Sequence, residues 1–387
     1  MRETREKENF EKQLNKRKAS KVLQWFSLVL FVGILIVVLV ILNDKKVFTT
    51  YVEVSSSESQ YISGNEILKF GDYILFYNND GIKCVKADGT KVWDVVYQMQ
   101  EPIVVIHGDK VVVADIGGTK IYLMDYEGKI SEIPTDLTIK SIEVSESGMV
   151  AAVLDGNDVT WMYIYGEDGT VLLSFRMTMD QTGYPMAISM SPNGKVFSAS
   201  YLGLANGELN TSIAFYNFGE VGSNYTDRYV SGYNYVDMLI PVLEFMDDEY
   251  AVAVANDRIM FYYGSEKPTM LKEVLINQEI QSVYIGSEAV ALVFKNVSAE
   301  GDNYITLYSK KGEVLLQKGT DFDFVDVEIE NDLITMYNQS ECLVWSFSGD
   351  EKYSGGIGAN VLKMFTTSDK YSYNIVTEDE VKVVELR

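Results

Sequence analysis

One histidine and two cysteines occur in 387 residues. A single imidazole, His107, rules out any site built on two or more histidine ligands, and two cysteines can form neither a zinc ribbon nor a disulfide framework. Positive charge is scarce as well. Against 56 Asp+Glu there are 33 Lys+Arg, a formal net charge of −23, and a chain so poor in cations lacks the Lys/Arg clusters that grip a phosphate backbone. Nucleic acid is therefore not an expected partner. No G-x-S-x-G nucleophile elbow is present either. What the chain does have is ordinary globular material, 47% hydrophobic and 23% charged, which can bury a large core.

The charge is unevenly distributed. Residues 1–21 carry eight basic and four acidic side chains, a net of +4, which leaves −27 for the rest. Between these regions runs VLQWFSLVLFVGILIVVLVIL, residues 22–42, without a charge. As a helix it would rise about 31 Å, the thickness of a bilayer's hydrocarbon core. The run is longer than a secretory h-region and no small-residue cleavage site follows it, so it reads as an uncleaved signal anchor. Lys12, Lys16, Arg17, Lys18 and Lys21 crowd its N-terminal flank. The positive-inside rule then predicts a cytoplasmic tail (1–21), a transmembrane helix (22–42) and an extracytoplasmic domain (43–387) at the plasma membrane. Cys84 and Cys342 are 258 positions apart and are expected as two buried thiols. Such low cysteine usage in an exported domain suits a bacterial envelope.

From residue 47 onward, short β-branched and aromatic runs alternate with Gly, Asp and Asn turns, an all-β pattern. One turn recurs at Gly71-Asp72, Gly108-Asp109, Ser147-Gly148, Asn193-Gly194, Asp247-Asp248, Gly286-Ser287, Asn331-Asp332 and Ser368-Asp369, at intervals of 37, 39, 46, 54, 39, 45 and 37 residues. A four-stranded propeller blade repeats at about 40–45 residues, so the spacing predicts eight blades, with seven as the alternative. After Val361 only three strands fit, and Phe48–Ser56 (FTTYVEVSS) can supply the fourth, closing the ring without an open edge.

Several segments carry a family likeness. GDYILFYNNDGIKCVKADGTKVWDV, Gly71–Val95, resembles the blade motif of pyrroloquinoline-quinone (PQQ)-type propellers, and its outline returns at Gly108–Ile130 and Ser147–Phe175. SPNGKVFSAS, Ser191–Ser200, is closer to WD40-like and TolB-like blades. Full-length organisation, a short basic tail and one span before such a ring, resembles an uncharacterised Gram-positive bacterial family of single-pass membrane-anchored β-propellers. That resemblance implies no catalytic residues. Quinoprotein propellers hold calcium through carboxylate and amide ligands and typically carry a vicinal disulfide. Here there are no adjacent cysteines and no matching ligand set, so no cofactor and no metal are expected.

Two features remain. The acids Asp321, Asp323, Asp326, Glu328 and Glu330 alternate with apolar residues, as on a half-buried strand with a solvated face. Unit four is the longest repeat. Its YLGLANGELNTS and NYTDRYVSGYNYVDM segments concentrate tyrosines among small polar residues, the composition of an adaptable paratope. The candidate binding face is accordingly Tyr184, Tyr201, Asn206, Tyr225, Arg228, Tyr229, Tyr233 and Tyr235, expected on one surface. The function expected is a non-enzymatic binding or scaffold module for an envelope protein or cell-wall polymer. The alternative is an envelope glycan-active enzyme using carboxylates near the central channel.

Overall fold

The computed structural model describes residues 25, 29–34, 45–156, 159–177, 183–205, 208–295 and 301–387. It divides into two compact units, Met1–Phe48 and Thr49–Arg387. In the first, Trp25 and residues 29–34 are helical. Among the described residues no helix is long and apolar enough to cross a membrane, and most of the expected 22–42 span lies outside them.

Among its described residues the second unit holds thirty-two strands in eight four-stranded antiparallel sheets, an eight-bladed β-propeller. Blade 1 comprises Glu66–Phe70, Tyr73–Asn78, Gly81–Lys86 and Lys91–Val96. Blades 2 and 3 begin at Pro102–His107 and Thr138–Val144. Blade 4 is Tyr184–Met190, Val196–Ala205, Glu208–Asn217 and Tyr229–Val236, and blade 5 is Val242–Phe245, Tyr250–Val254, Arg258–Tyr263 and Thr269–Leu275. Blades 6 and 7 begin at Ile280–Ile285 and Asp326–Glu330. First strands of successive blades touch one another, which makes them the inner wall, whereas fourth strands such as Thr269–Leu275 are largely exposed.

The sequence explains this layering. Most second strands are largely apolar and buried, Val150–Leu154 and Ala289–Phe294 without a break. A strand covered on both faces by neighbouring sheets has no solvent side and so shows no alternation. At the junction of blades 1 and 2, Phe70, Leu75, Trp93, Val111 and Val113 form one cluster, each large side chain contributing about 1.5–3 kcal/mol of burial. All eight recurring turns fall between the first and second strands of a blade. Gly71 shows why the turn chemistry is strict. Its φ is +59°, and a Cβ there would stand 2.2 Å from the Tyr126 hydroxyl, so an L side chain would be strained and would have to push the Tyr126 ring aside.

Blade 8 consists of Lys363–Thr366, Ser372–Val376, Glu380–Leu386 and, from the other end of the chain, Tyr51–Glu58. Tyr51 pairs with Leu386 and Glu58 with Glu380, with a bulge at Val54. The Thr49 and Thr50 amides both donate to the Arg387 carbonyl at 3.1 Å. Cys84 and Cys342 are free, buried thiols.

Candidate functional site

Blade 4 has second and third strands of ten residues each, and among the described residues no other strand exceeds eight. Register across the blade places Tyr184, Leu202, Thr211 and Tyr235 in one row. Met190, Phe197, Tyr216 and Tyr229 form another. The six residue steps from Tyr229 to Tyr235 put these rows about 20 Å apart. The candidate tyrosines therefore do not share one surface. Tyr201 is buried between blades 3 and 4, its hydroxyl donating to that of Tyr216 at 3.3 Å. Tyr233 accepts from the Met270 amide at 2.7 Å and Tyr235 meets the Tyr262 hydroxyl at 3.1 Å, so both rings join blade 4 to blade 5. Tyr225 and Arg228 lie on the connection between the third and fourth strands, where Arg228 Nη1 donates to the Phe218 carbonyl at 3.1 Å, and Tyr229 opens the fourth strand. Tyr184 is exposed at the opposite end. Asn206 lies outside the described residues.

The long hairpin places something else beside Tyr184. Leu204 and Leu209 pair directly across its strands, two residues beyond Leu202 and Thr211, and therefore share the face that carries Tyr235 toward blade 5. They are 64% and 42% exposed, and Leu239, in the segment entering blade 5, is 40% exposed. Below them Thr211 Oγ1 bonds the Met238 carbonyl, and the Asp237 amide donates to the Leu209 carbonyl at 3.0 Å. The Asn256 side chain takes the Leu239 amide at 3.2 Å. Three exposed leucines on a hydrogen-bonded frame form an apolar rim where blade 4 meets blade 5, of the kind that marks interaction sites. Leu204 and Leu209 stand in the same long segment as Tyr201. The tyrosines dominate the composition of this unit, whereas two leucines flanking a hairpin tip have no periodicity that sets them apart.

The inner wall supplies the second cluster. Lys69 of blade 1 donates to Glu328 at 3.1 Å, to the Glu330 carboxylate and to Thr366 at 2.9 Å, and the Thr366 amide donates to Glu328 at 2.7 Å. Lys363 meets Asp326 at 2.6 Å. The acidic strand of blade 7 thus turns its charged face not to open solvent but to lysines of blades 1 and 8. Burial holds the Glu328 carboxyl above the usual range despite Lys69. For Glu330, burial is outweighed by the hydrogen bonds of Lys69 and Thr366, and the net displacement is downward.

Across the ring two glutamates stand without cations. Among the described residues no basic group pairs with Glu143 of blade 3 or Glu244 of blade 5. Burial pushes Glu143 up to about 8, with the charge of Glu244 adding to it, and pushes Glu244 up to about 7. Glu244 does touch water in the lumen, yet first strands surround it. It lines a cavity of about 520 Å3 whose wall draws on five blades, including His107, Glu146, Asp247 and Asp248. Burial lowers His107 against the pull of Glu146 and Asp248. The inner wall thus pairs its acids with lysines at blades 7, 8 and 1, whereas Glu143 of blade 3 and Glu244 of blade 5 have no such partner among the described residues, although Asp247 at the cavity meets Lys310 at 2.9 Å.

No curated protein matches the chain. Among solved structures, a eukaryotic initiation factor aligns with a TM-score of 0.56 at 9% identity, covering 84% of each chain. Sqt1 from Chaetomium thermophilum aligns at 0.53 and 13% identity over 86% of this chain and 97% of its own. Dipeptidyl peptidase 4 of Porphyromonas gingivalis aligns at 0.53 and 12% identity over 81% of this chain and 55% of its own. At such identities these likenesses concern the fold alone. The sequence itself matches residues 44–386 to the family described as "Family of unknown function (DUF5711)", and the chain belongs to that family.

Proposed function

We propose that this propeller is a non-enzymatic docking module of the bacterial cell envelope. Residues 22–42 anchor it in the membrane, with the ring outside, and it binds another envelope protein through the rim of blades 4 and 5. The observation that carries this reading is the exposed Leu204–Leu209 pair on the longest hairpin of the ring, next to Leu239. Charge narrows the partner. The −27 beyond residue 21 repels acidic surfaces and favours a neutral or basic protein. Cross-linking from intact membranes tests the reading with the double variant Leu204→Asp, Leu209→Asp. Its partner adducts should disappear while the melting temperature holds, and adducts identical to the wild type would overturn the proposal. Protease shaving of intact cells should digest the propeller and spare residues 1–21.

A glycan-active enzyme is the second reading, favoured by Glu328 and Glu330, two carboxyls on one strand displaced in opposite directions as an acid and a base require. Both are held by Lys69 and Thr366, which occupy the hydrogen-bonding positions a substrate would need, so docking is preferred. Glu328→Gln separates the two readings: it should abolish any glycan cleavage if the enzyme reading holds and leave partner cross-links intact if docking does.

A further inference from the structure

At the seam where the ring closes, a cleft of about 590 Å3 opens between blade 8 and blade 1. That volume lies within the roughly 300–1,000 Å3 of small-molecule sites. Asn374 lies at its base. It occupies the second strand of blade 8, paired with Phe365 and Val383. Around it Phe365, Val376 and Val381 pack against Ile74, Phe76 and Val85 of blade 1. Asn374 is 3% exposed and lines the cleft, and its Oδ1 has no hydrogen-bond partner among the described residues. A buried acceptor left unmatched costs about 1–3 kcal/mol. On the same face Ser372 and Glu385 form the next row toward the cleft and Val376 and Val381 the row on the other side, so the amide sits where a polar mouth meets an apolar floor, and its unmatched acceptor calls for a donor that enters the cleft.

The remaining walls define what kind of donor. The Asp72 carboxylate already accepts the Ser368 amide at 3.2 Å, and Glu385 accepts from Arg387 at 3.1 Å. Lys370 stands at the rim, 5.8 Å from the centre of the Tyr371 ring, and offers a donor. Asp72 keeps its charge beside the neutral Ser368 amide and Asp369 also lines the cleft, so with the lysine at the rim both signs of charge face the space, and a neutral polyhydroxyl group suits them better than an ion of either sign. Val54 contributes an apolar side chain because the bulge in the closing strand sets it out of register, and Ala87 and Val383 continue that surface. A ligand suited to this wall has hydroxyls that both donate and accept, no net charge, and a C–H face to lay on the valines and alanine. We infer that the seam cleft is a binding site for a neutral saccharide, with Asn374 as the buried acceptor. The inference stands apart from the leucine rim, which lies on other blades.

The test is saturation-transfer NMR on the full chain in lipid nanodiscs, since sugar-headed detergents would compete. The probes are triacetylchitotriose, cellotriose and maltotriose at millimolar concentration. At least one should bind. Asn374→Leu, close in volume, should weaken it about tenfold, the 1.4 kcal/mol of one lost hydrogen bond. It should also raise the melting temperature, because an unmatched polar group has been removed. Ala87→Trp, which fills the cleft from blade 1, should abolish binding independently. Leu204→Asp, Leu209→Asp should bind the saccharide unchanged, so failure of the docking proposal leaves this one standing. Absence of signal with all three probes, or wild-type affinity in both cleft variants, would show that the site holds water only and would overturn the inference.

Discussion

Glu143 and Glu244 carry a consequence for stability that follows from the sign of their displacement. A carboxyl raised in the folded state binds its proton more tightly there than in the unfolded chain, whose glutamates titrate near 4.3. The stability this contributes is complete below about pH 4.3 and is lost as pH climbs through the folded values of about 7 and about 8. Between pH 5 and 8 the wild-type melting temperature should therefore fall relative to a Glu143→Gln, Glu244→Gln variant, which keeps neutral groups throughout. At pH 8 the variant should melt higher by about 2 °C, a modest gain because lumen water screens the charges. Calorimetry across that range checks it, and parallel curves would refute the assignment. These acids were visible in the sequence as single charges inside apolar strands, SIEVS and VLEFM. What strand pattern does not reveal is that their outward side is the lumen of a ring rather than bulk water.

Among the elements, the acidic strand of blade 7 has the most at stake. Its Glu328 and Glu330 are tied to Lys69, a residue of blade 1, past the whole of blade 8. Lys69→Met should leave both carboxylates without their cation and lower stability by about 1–3 kcal/mol, read from the denaturant midpoint. Lys91→Met, which removes an exposed pair with Asp94, should cost under about 1 kcal/mol. The same comparison shows where sequence reading succeeds and fails. All eight first turns could be placed because each pairs small or acidic turn residues between apolar runs, and five of them hold a residue in left-handed backbone, at Gly71, Gly108, Gly148, Gly194 and the Asn331-Asp332 pair. The tyrosines of blade 4 could not. A period of two between Tyr233 and Tyr235 reports that one face of a strand differs from the other. In a ring both faces of a blade are covered by neighbours, so the pattern that marks solvent elsewhere marks a blade junction here. Asn374 is a similar case: a lone amide in SYNIV is conspicuous, but only the adjoining cleft gives it meaning.

For the molecule as a whole, closure is carried by Tyr51–Glu58, and the two ends of the propeller meet at Thr50 and Arg387. Deleting 49–58 should leave blade 8 with an open outer edge and replace one cooperative melting transition with a lower, broader one. A permuted chain that joins residue 387 to residue 49 and opens between 59 and 65 preserves every strand pairing. It should melt within a few degrees of the parent, since new termini in an exposed connection disturb little.

Closure by the first strand also sets an order in time. Thr50 and Arg387 are 337 positions apart, so the strand that completes the ring is synthesised first and its partner last. Throughout that interval it is an unpaired edge, a state prone to joining the wrong sheet. Its sequence, YVEVSSSE, is mostly serine and glutamate with few apolar side chains, which suits a long wait. Contacts of such separation form slowly, and a chain cut short before residue 380 has nothing for this strand to pair with. Only a chain translated through Leu386 can close, so the blade that begins the propeller is the last to be completed.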